Sequence, residues 1–217
     1  KDDIGNLPTD EDAATFWKEQ PNMDAEHVLY FGRKDNFWEM AETGPCGPCS
    51  EIHIDRGPAA CDKQGVPGHV CGVNGDCKRF LEIWNLVFMQ YNRVSVTQFD
   101  PLPATHVDTG MGLDRTICTL QGKASVYDTD AFVGVLAKIA ELSGKNYTDD
   151  TETTRAFRII ADHVRCATFI LGDEKGVTPS NVDQGYVLRR LIRRAVRYAL
   201  RLGIAEQSLQ HIAKVVI

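Results

Sequence analysis

The stretch "FLEIWNLVFMQYNRVSV", residues 80–96, decides the fold, because it carries the strongest strand pattern of the chain. Alternate side chains of a strand point to opposite faces, and here both faces are apolar along most of the run. This pattern is typical of a central strand that is covered on both sides. Asn85 interrupts the apolar run and needs a hydrogen-bonding partner, which is either a ligand or a neighbouring loop.

Shorter runs on both sides of this stretch predict further strands. They are "HVLYF" (residues 27–31), "NFWEM" (36–40), "SEIHID" (50–55) and "ATHVD" (104–108). Residues 57–79 are rich in Gly, Pro, Cys and Asp, which predicts a long irregular insertion. The stretch "GPCGPC" places Cys46 and Cys49 at a Cys-x-x-Cys spacing, which serves zinc or redox chemistry. Its prolines and glycines instead favour a structural role in a rigid turn near the site. Before the strands, "TDEDAATFWKEQ" predicts a short helix capped at Thr9 and the carboxylates that follow it.

From Gly110 onward, apolar residues recur at three-to-four spacing, which predicts helices. The helical segments are residues 111–121, 127–144, 153–171 and 184–203. Strands first and helices afterwards are typical of an α+β body followed by a helical domain. The polar stretch "GKNYTDDTET" is the predicted boundary, which assigns residues 1–145 to the body and residues 146–217 to the helical domain.

Charge is distributed unevenly along the 217 residues, whose net charge is −6. Residues 1–150 hold 13 Lys and Arg against 24 Asp and Glu (−11), and residues 151–217 hold 11 against 6 (+5). The net negative charge argues against nucleic-acid binding by the whole surface. A basic segment after an acidic body indicates that this segment meets a polyanion.

The sequence has no apolar run of membrane-span length and no signal-peptide pattern, which predicts a cytoplasmic protein without a membrane partner. In that compartment, the seven cysteines are expected to be thiols or metal ligands rather than disulfides. The chain starts at Lys1 without Met and stops within an apolar-periodic segment, so we expect a piece of a longer protein. The sequence leaves the oligomeric state open.

The stretch "VDTGMGLDR", residues 107–115, places an acid, two glycines and an arginine where a strand gives way to a helix. Glycines let a backbone approach an anionic or flat ligand, and a helix start offers free N–H groups. Arg115 could then bind a phosphate and Asp108 a cation. The alternative is a plain glycine turn, with Asp108 as a helix cap and Arg115 in a surface ion pair. A Walker loop is excluded, because its Lys-Ser/Thr ending is missing.

Four soft ligands lie within the irregular insertion, namely Cys61, His69, Cys71 and Cys77. Zinc would explain how a segment with little apolar content becomes ordered. However, this spacing matches no standard zinc motif, so unligated thiols stay the alternative.

The last predicted helix carries a ridge of arginines at a spacing of four, formed by Arg189, Arg193, Arg197 and Arg201. Like charges this close repel one another, so the ridge needs compensating anions. A phosphate backbone would supply them, and so would ion pairs with the acidic body.

Five stretches in order resemble one family. "VDTGMGLDR" resembles motif 3 of the class II aminoacyl-tRNA synthetases. Four further stretches are similar to the alanyl-tRNA synthetases of that class, namely "DNFWEM", "TGPCGPCSEIH", "EIWNLVFMQYNR" and "SNVDQGYVLRRLIRRAVR". The resemblance implies part of the class II antiparallel sheet. Residues 1–145 would then be the C-terminal part of an aminoacylation domain, and residues 146–217 the start of a helical tRNA-recognition domain.

The resemblance also implies roles for the site residues. Arg115 is the implied catalytic residue, contacting the adenosine and terminal phosphate of ATP, with Gly110 and Gly112 against the nucleotide. Asp108 receives the ammonium group of alanine. The other implied alanine-binding residues are Asn85, Val87 and Trp38. One departure is Asp114, where the family usually has Glu.

By the same resemblance, the partners are alanine, ATP with Mg²⁺, and the acceptor stem of tRNA(Ala). The family reads a G·U wobble pair, and Asn181 matches the asparagine of the corresponding motif. The implied tRNA-binding residues also include Arg189, Arg193 and Arg197. As a loop residue before a helix, Asn181 is alternatively only a cap.

The implied activity is that of an alanine–tRNA ligase, which makes alanyl-adenylate and transfers alanine to tRNA. The family's motifs 1 and 2 are expected upstream of Lys1, so we expect residues 1–217 alone not to form the adenylate. The alternatives are a non-catalytic tRNA- or RNA-binding protein derived from a synthetase, and a zinc-binding interaction module. An upstream motif 2 arginine would favour the ligase.

Overall fold

The computed structural model describes residues 7–217. The chain divides into two compact units, one ending at Thr119 and the other comprising Leu120–Ile217. Within residues 7–217, no helix combines the length and hydropathy that a membrane span requires.

The first unit is built on a four-stranded antiparallel sheet whose strands follow one another in chain order. The strands are β1 (Phe37–Glu39), β2 (Gly44–Asp55), β3 (Phe80–Arg93) and β4 (Phe99–Met111). Its helices are α1 (Glu11–Lys18), α2 (Arg33–Asn36) and α3 (Leu113–Leu120). Strands followed by helices confirm the predicted α+β class.

The predicted central strand is confirmed as β3, which pairs with β2 on one side and β4 on the other. The expected cover on both faces is wrong for the described residues. Val87 is the one buried residue of β3, and its other residues are half-buried. Apolar content therefore predicted the strand position correctly but overstated how deeply its side chains are buried.

Two local predictions near β1 and β2 are wrong. The stretch "GPCGPC" is the start of β2 rather than a turn, and "HVLYF" contains no strand. A 3-10 helix, Ala25–His27, ends at the first residue of the latter stretch, and residues 28–31 have no regular secondary structure. The Asp24 side chain accepts the N–H of Glu26 and caps this short helix. Gly47 allows β2 to pass close to β3, since a Cβ there would lie 1.8 Å from the carbonyl oxygen of Phe88.

The predicted capped N-terminal helix is confirmed as α1, and its cap is the first of the carboxylates that follow Thr9. Asp10 is the N-cap, and its Oδ1 accepts the N–H of Ala13 at 3.0 Å. The predicted insertion is also confirmed, since residues 57–79 form an irregular loop between β2 and β3. Its base is closed by the N–H of Arg56, which donates to the carbonyl oxygen of Arg79 at 2.9 Å.

The second unit is helical. Its helices are α4 (Asp130–Ser143), α5 (Thr151–Gly172), α6 (Asp183–Arg201) and α7 (Leu209–Val216). They share one apolar core, in which Ile139, Phe157, Ile160 and Ala199 are fully buried. Because α4 contributes to this core, packing places it with the helical unit. The predicted division between functional domains at residues 145/146 stays a prediction.

Candidate functional site

Strand pairing brings four of the predicted site residues together on one face of the sheet. Val87 lies opposite Asp108, and Asn85 lies opposite Gly110. Residues two apart along a strand share a face, so these two pairs form adjacent rows. Side chains in diagonal positions of such rows are within reach of one another. The register of β3 and β4 therefore builds one continuous patch, which we call the β3–β4 patch.

The β3–β4 patch presents polar groups beside an apolar one. Asp108 is exposed, and its Oδ1 accepts the N–H of Thr109 at 2.7 Å. The Oδ1 of Asn85 is buried and has no hydrogen-bond partner among residues 7–217. Val87, opposite Asp108, is buried. A carboxylate, an unsatisfied amide oxygen and a small apolar wall suit a cationic ligand with a short apolar side chain.

The same rows continue onto β2 through residues that sequence reasoning missed. Cys49 lies opposite Val87, and Glu51 lies opposite Asn85. Glu51 accepts hydrogen bonds from the Nδ2 of Asn85 at 3.3 Å and of Asn74 at 3.2 Å. Its Oε2 also lies 2.9 Å from the Nε2 of His53. Glu51 thus orients the Asn85 amide. In the sequence, the charged residue inside the predicted strand "SEIHID" was the one sign of this role.

Burial controls the protonation state of the Cys49 thiol, which lies beside Glu51. Loss of solvent, and next the charge of Glu51, raise the pKa of Cys49 to about 11. The sulfur faces the carbonyl oxygen of Asp35 at 3.8 Å. Cys49 is therefore a neutral packing group at physiological pH, which agrees with the structural role that we expected for "GPCGPC".

The glycine turn leads from β4 into α3. The N–H of Gly112 donates to the carbonyl oxygen of Ile83 at 2.9 Å, and its own carbonyl accepts the N–H of Thr116 at 2.9 Å. No atom would lie within 4 Å of a Cβ at Gly110. The strand extends to Met111, one residue further than the predicted change at Gly110. Gly110 therefore faces open space beside Asp108.

Arg115 stands in the first turn of α3 with its side chain 48% exposed. Its Nη1 donates to the backbone carbonyl of Glu82 and to the Glu82 carboxylate, both at 3.0 Å. The side chain also covers Gly112, whose Cβ would lie 3.4 Å from the Cδ of Arg115. The surface ion pair that we considered is therefore present, and it holds the guanidinium next to the glycine turn.

Trp38 is half-buried in β1, where it lies opposite Gly47 of β2. The register of β2 and β3 is irregular between Cys46 and Cys49. Strand pairing therefore does not join Trp38 to the β3–β4 patch.

The predicted basic helix is confirmed as α6. Its apolar stripe faces the core, where Leu188, Ala195 and Ala199 are buried. The opposite side exposes Arg190, Arg193, Arg194, Arg197 and Arg201. Within residues 120–217, no acidic side chain forms an ion pair with them. The helical unit thus presents a basic surface, which we call the α6 arginine face.

Asn181 precedes α6 and is exposed. It is not the cap, because the N-cap of α6 is Val182 and no side chain caps it. The Oδ1 of Asn181 instead accepts a hydrogen bond from Arg189, which is half-buried. The structure therefore joins two of the predicted tRNA-binding residues at the start of the α6 arginine face.

The four soft ligands of the insertion converge. One ligand atom from each of Cys61, His69, Cys71 and Cys77 lies within 4.8 Å of all the others. The Nε2 of His69 is 3.3 Å from the Sγ of Cys61 and 3.5 Å from the Sγ of Cys71. All seven cysteines are free thiols, as expected. The spacing matched no standard motif, yet folding of the loop gives a ligand set suited to a metal.

Comparison with known proteins identifies relatives along nearly the whole chain. Alanine–tRNA ligase of Chlorobium chlorochromatii is 49% identical over 205 residues, which are 94% of this chain and 22% of that protein. The Treponema denticola enzyme of the same name is 48% identical over 213 residues, which are 98% of this chain and 34% of that protein. The Desulfosudis oleivorans enzyme is 45% identical over 204 residues.

These relatives are much longer than the chain, which spans 22–34% of their length. The family model described as tRNA synthetases class II (A) matches residues 4–217. The antiparallel sheet with a glycine turn into α3 agrees with that match. The chain therefore belongs to the class II (A) tRNA synthetases.

Proposed function

We propose that this chain supplies the alanine and adenylate site, and the first tRNA-binding surface, of an alanine–tRNA ligase. The observation that carries the proposal is the register of β3 and β4, which places Asn85, Val87 and Asp108 in one patch beside Gly110. The names of the relatives, all alanine–tRNA ligases, supply the amino acid.

Alanine offers a carboxylate, an ammonium group and one methyl group. In the proposed complex, the ammonium binds the Asp108 carboxylate and the Oδ1 of Asn85, which otherwise stays buried without a partner. The methyl group packs on Val87. Glu51 holds the Nδ2 of Asn85, which fixes the amide so that its oxygen faces the ligand. Trp38 is proposed as a further wall of the same pocket.

ATP would lie over the glycine turn. A Cβ at Gly110 would meet no atom within 4 Å, and two residues further on the Arg115 side chain lies against Gly112. Arg115 would contact the adenosine and the terminal phosphate, with Mg²⁺ neutralising the phosphate charge. This arrangement catalyses by positioning and by charge neutralisation more than by a protein nucleophile.

Two steps complete the proposed reaction. First, a carboxylate oxygen of alanine attacks the α-phosphorus of ATP, and pyrophosphate leaves with the bridging oxygen. Alanyl-adenylate remains. Next, a hydroxyl of the terminal ribose of tRNA attacks the carbonyl carbon and loses its proton, and AMP leaves. The acceptor stem of tRNA(Ala) would lie along Asn181 and the α6 arginine face, including Arg189, Arg193 and Arg197.

The test is calorimetric titration of the chain with alanyl sulfamoyl adenosine, an analogue of the adenylate that cannot be cleaved. We expect the alanyl compound to bind. The leucyl compound should bind at least tenfold more weakly, because its side chain is too large for a pocket walled by Val87. Equal affinities, or no binding of either compound, would refute the proposed site.

A non-catalytic tRNA-binding protein is the second candidate. The observation that favours it is the α6 arginine face, because five exposed arginines there lack acidic partners within residues 120–217. Binding of an acceptor-stem hairpin without any binding of the adenylate analogue would support this candidate over the ligase.

Two further attributes belong to the proposal. The protein acts in the cytoplasm, where tRNA is charged. Zinc is the proposed occupant of the cluster formed by Cys61, His69, Cys71 and Cys77.

A further inference from the structure

The loop of residues 57–79 is ordered with almost no apolar core. Cys61 is its one buried residue, and every other residue of the loop is half-buried or exposed. Gly57, Gly65 and Gly68 have positive φ. Fixing these glycines costs conformational entropy, because glycine loses more backbone freedom on folding than other residues do. Surface ion pairs such as Lys78–Asp62 contribute little to stability. The loop therefore needs another source of order.

Two separations among the ligand atoms match those of a tetrahedral metal site. With Zn–S bonds of about 2.3 Å and Zn–N bonds of about 2.0 Å, a tetrahedral ion separates sulfur from nitrogen by roughly 3.5 Å. The observed separations from the Nε2 of His69 are 3.3 Å to Cys61 and 3.5 Å to Cys71. Three thiols and one imidazole form a ligand set that favours zinc over hard cations.

Groups around the ligands complete the site. The Nδ1 of His69 lies 3.1 Å from the Oδ1 of Asp76, which leaves Nε2 free to bind an ion. A carboxylate on the second nitrogen is the usual support of a zinc-bound histidine. The N–H of Lys63 donates to the Sγ of Cys61 at 3.4 Å. These contacts orient both side chains toward the common centre of the four ligands.

We propose that zinc bound by Cys61, His69, Cys71 and Cys77 acts as a clamp that holds Asn74 against Glu51. Asn74 lies midway between the ligands Cys71 and Cys77. It has a φ of 55°, which a non-glycine residue rarely adopts. A metal that ties residues 71 and 77 together closes this turn and fixes Asn74 at its tip.

The clamp extends into the sheet through hydrogen bonds. The Nδ2 of Asn74 donates to the Oε2 of Glu51 at 3.2 Å, and the Nδ2 of Asn85 donates to the Oε1 at 3.3 Å. Metal binding in the loop therefore determines how Glu51 presents Asn85. The consequence for alanine binding rests on the proposed function, whereas the metal site and the contact of Asn74 with Glu51 do not.

The metal site is tested by elemental analysis of the purified chain and by replacing zinc with cobalt. We expect stoichiometric zinc, and a cobalt spectrum with intense tetrahedral d–d bands and thiolate charge-transfer bands. Cys71→Ser and Cys77→Ser should each lose most of the metal. Cys166→Ser is the matched control, because Cys166 is an exposed thiol of α5, and it should keep the metal. Substoichiometric zinc, or equal loss in all three variants, overturns the site.

The clamp is tested by NMR of the Asn85 side-chain amide, assigned through its loss in Asn85→Asp. Removing zinc should shift that resonance, and Asn74→Ala should shift it in the same direction while the chain keeps its zinc. The second comparison holds even if the metal-free loop unfolds. An unchanged Asn85 resonance in zinc-loaded Asn74→Ala overturns the clamp. Neither measurement uses alanine or ATP, so a failure of adenylate-analogue binding alone refutes the proposed function and leaves the clamp standing.

Discussion

The two units of this protein are stabilised in different ways, and this difference explains which kind of binding surface each unit offers. The helical unit has an apolar core in which Phe157 and Ile160 are fully buried, and that core leaves one side of α6 free for charge. The sheet unit buries few side chains, and its strands are held by backbone pairing and by polar contacts around Glu51. A surface for a large polyanion suits the first arrangement, and a small pocket of oriented polar groups suits the second.

The largest expected effect comes from removing apolar volume in the helical core. Phe157→Ala should destabilise the helical unit by about 3–5 kcal/mol, because it leaves a cavity in a close-packed interior. Phe88→Ala, at a half-buried position of β3, is the matched variant and should cost clearly less. Urea unfolding followed by circular dichroism measures both. Equal losses of unfolding free energy in the two variants would mean that the two units depend equally on apolar packing.

Next in size is the effect of removing the charge at the β3–β4 patch. Asp108→Asn keeps the shape of an exposed side chain, so the free energy of unfolding should change by less than about 0.5 kcal/mol. Binding of alanyl sulfamoyl adenosine should weaken by about 1.5–3 kcal/mol, the usual value of a hydrogen bond to a charged group. Calorimetric titration of both proteins measures this. Retained affinity would remove Asp108 from the ammonium site.

A smaller, salt-dependent effect is expected at the α6 arginine face. Replacing Arg193 or Arg197 by Gln should weaken binding of an acceptor-stem hairpin and lower the slope of log affinity against log salt by about 0.7–0.9 for each phosphate that is no longer neutralised. Thermal stability should not change, because both side chains are exposed. Lys145→Gln, which removes an exposed charge from the segment between α4 and α5, is the control. An unchanged salt slope in both arginine variants would contradict binding to phosphates.

The sequence predicted much of both units, for different physical reasons. Helical periodicity identified α4, α5 and α6, and it separated the buried Leu188 from the exposed Arg193. The apolar run predicted β3, and alternation placed Asn85 and Val87 on one face. Each of these predictions depends on local spacing alone.

What the sequence could not supply was the register between strands and the path of the loop. Irregular pairing between Cys46 and Cys49, and again between Ile52 and His53, means that neighbours on β2 cannot be counted from β3. Glu51 was therefore missed as the partner of Asn85. Asn74 was missed because it reaches Glu51 from a loop, where no periodicity applies. Composition also misled at "GPCGPC", where glycines and prolines that usually mark turns begin β2.

The smallest expected effect is a pH dependence in the sheet unit, due to the buried Cys49 thiol. Burial and the charge of Glu51 raise its pKa from 9.0 to about 11, so the folded chain keeps a proton that the unfolded chain loses. This contribution to stability is complete below the unfolded pKa and is lost as pH rises through the folded pKa. Between about pH 8 and about pH 10, Cys49 should therefore account for about 1 kcal/mol of lost stability. The serine of Cys49→Ser does not titrate in this range. From about pH 8 to about pH 10, the free energy of unfolding of the unsubstituted chain should therefore fall by about 1 kcal/mol relative to that of the variant. Urea unfolding at both pH values measures it, and a constant difference would show that burial does not hold the thiol in its neutral form.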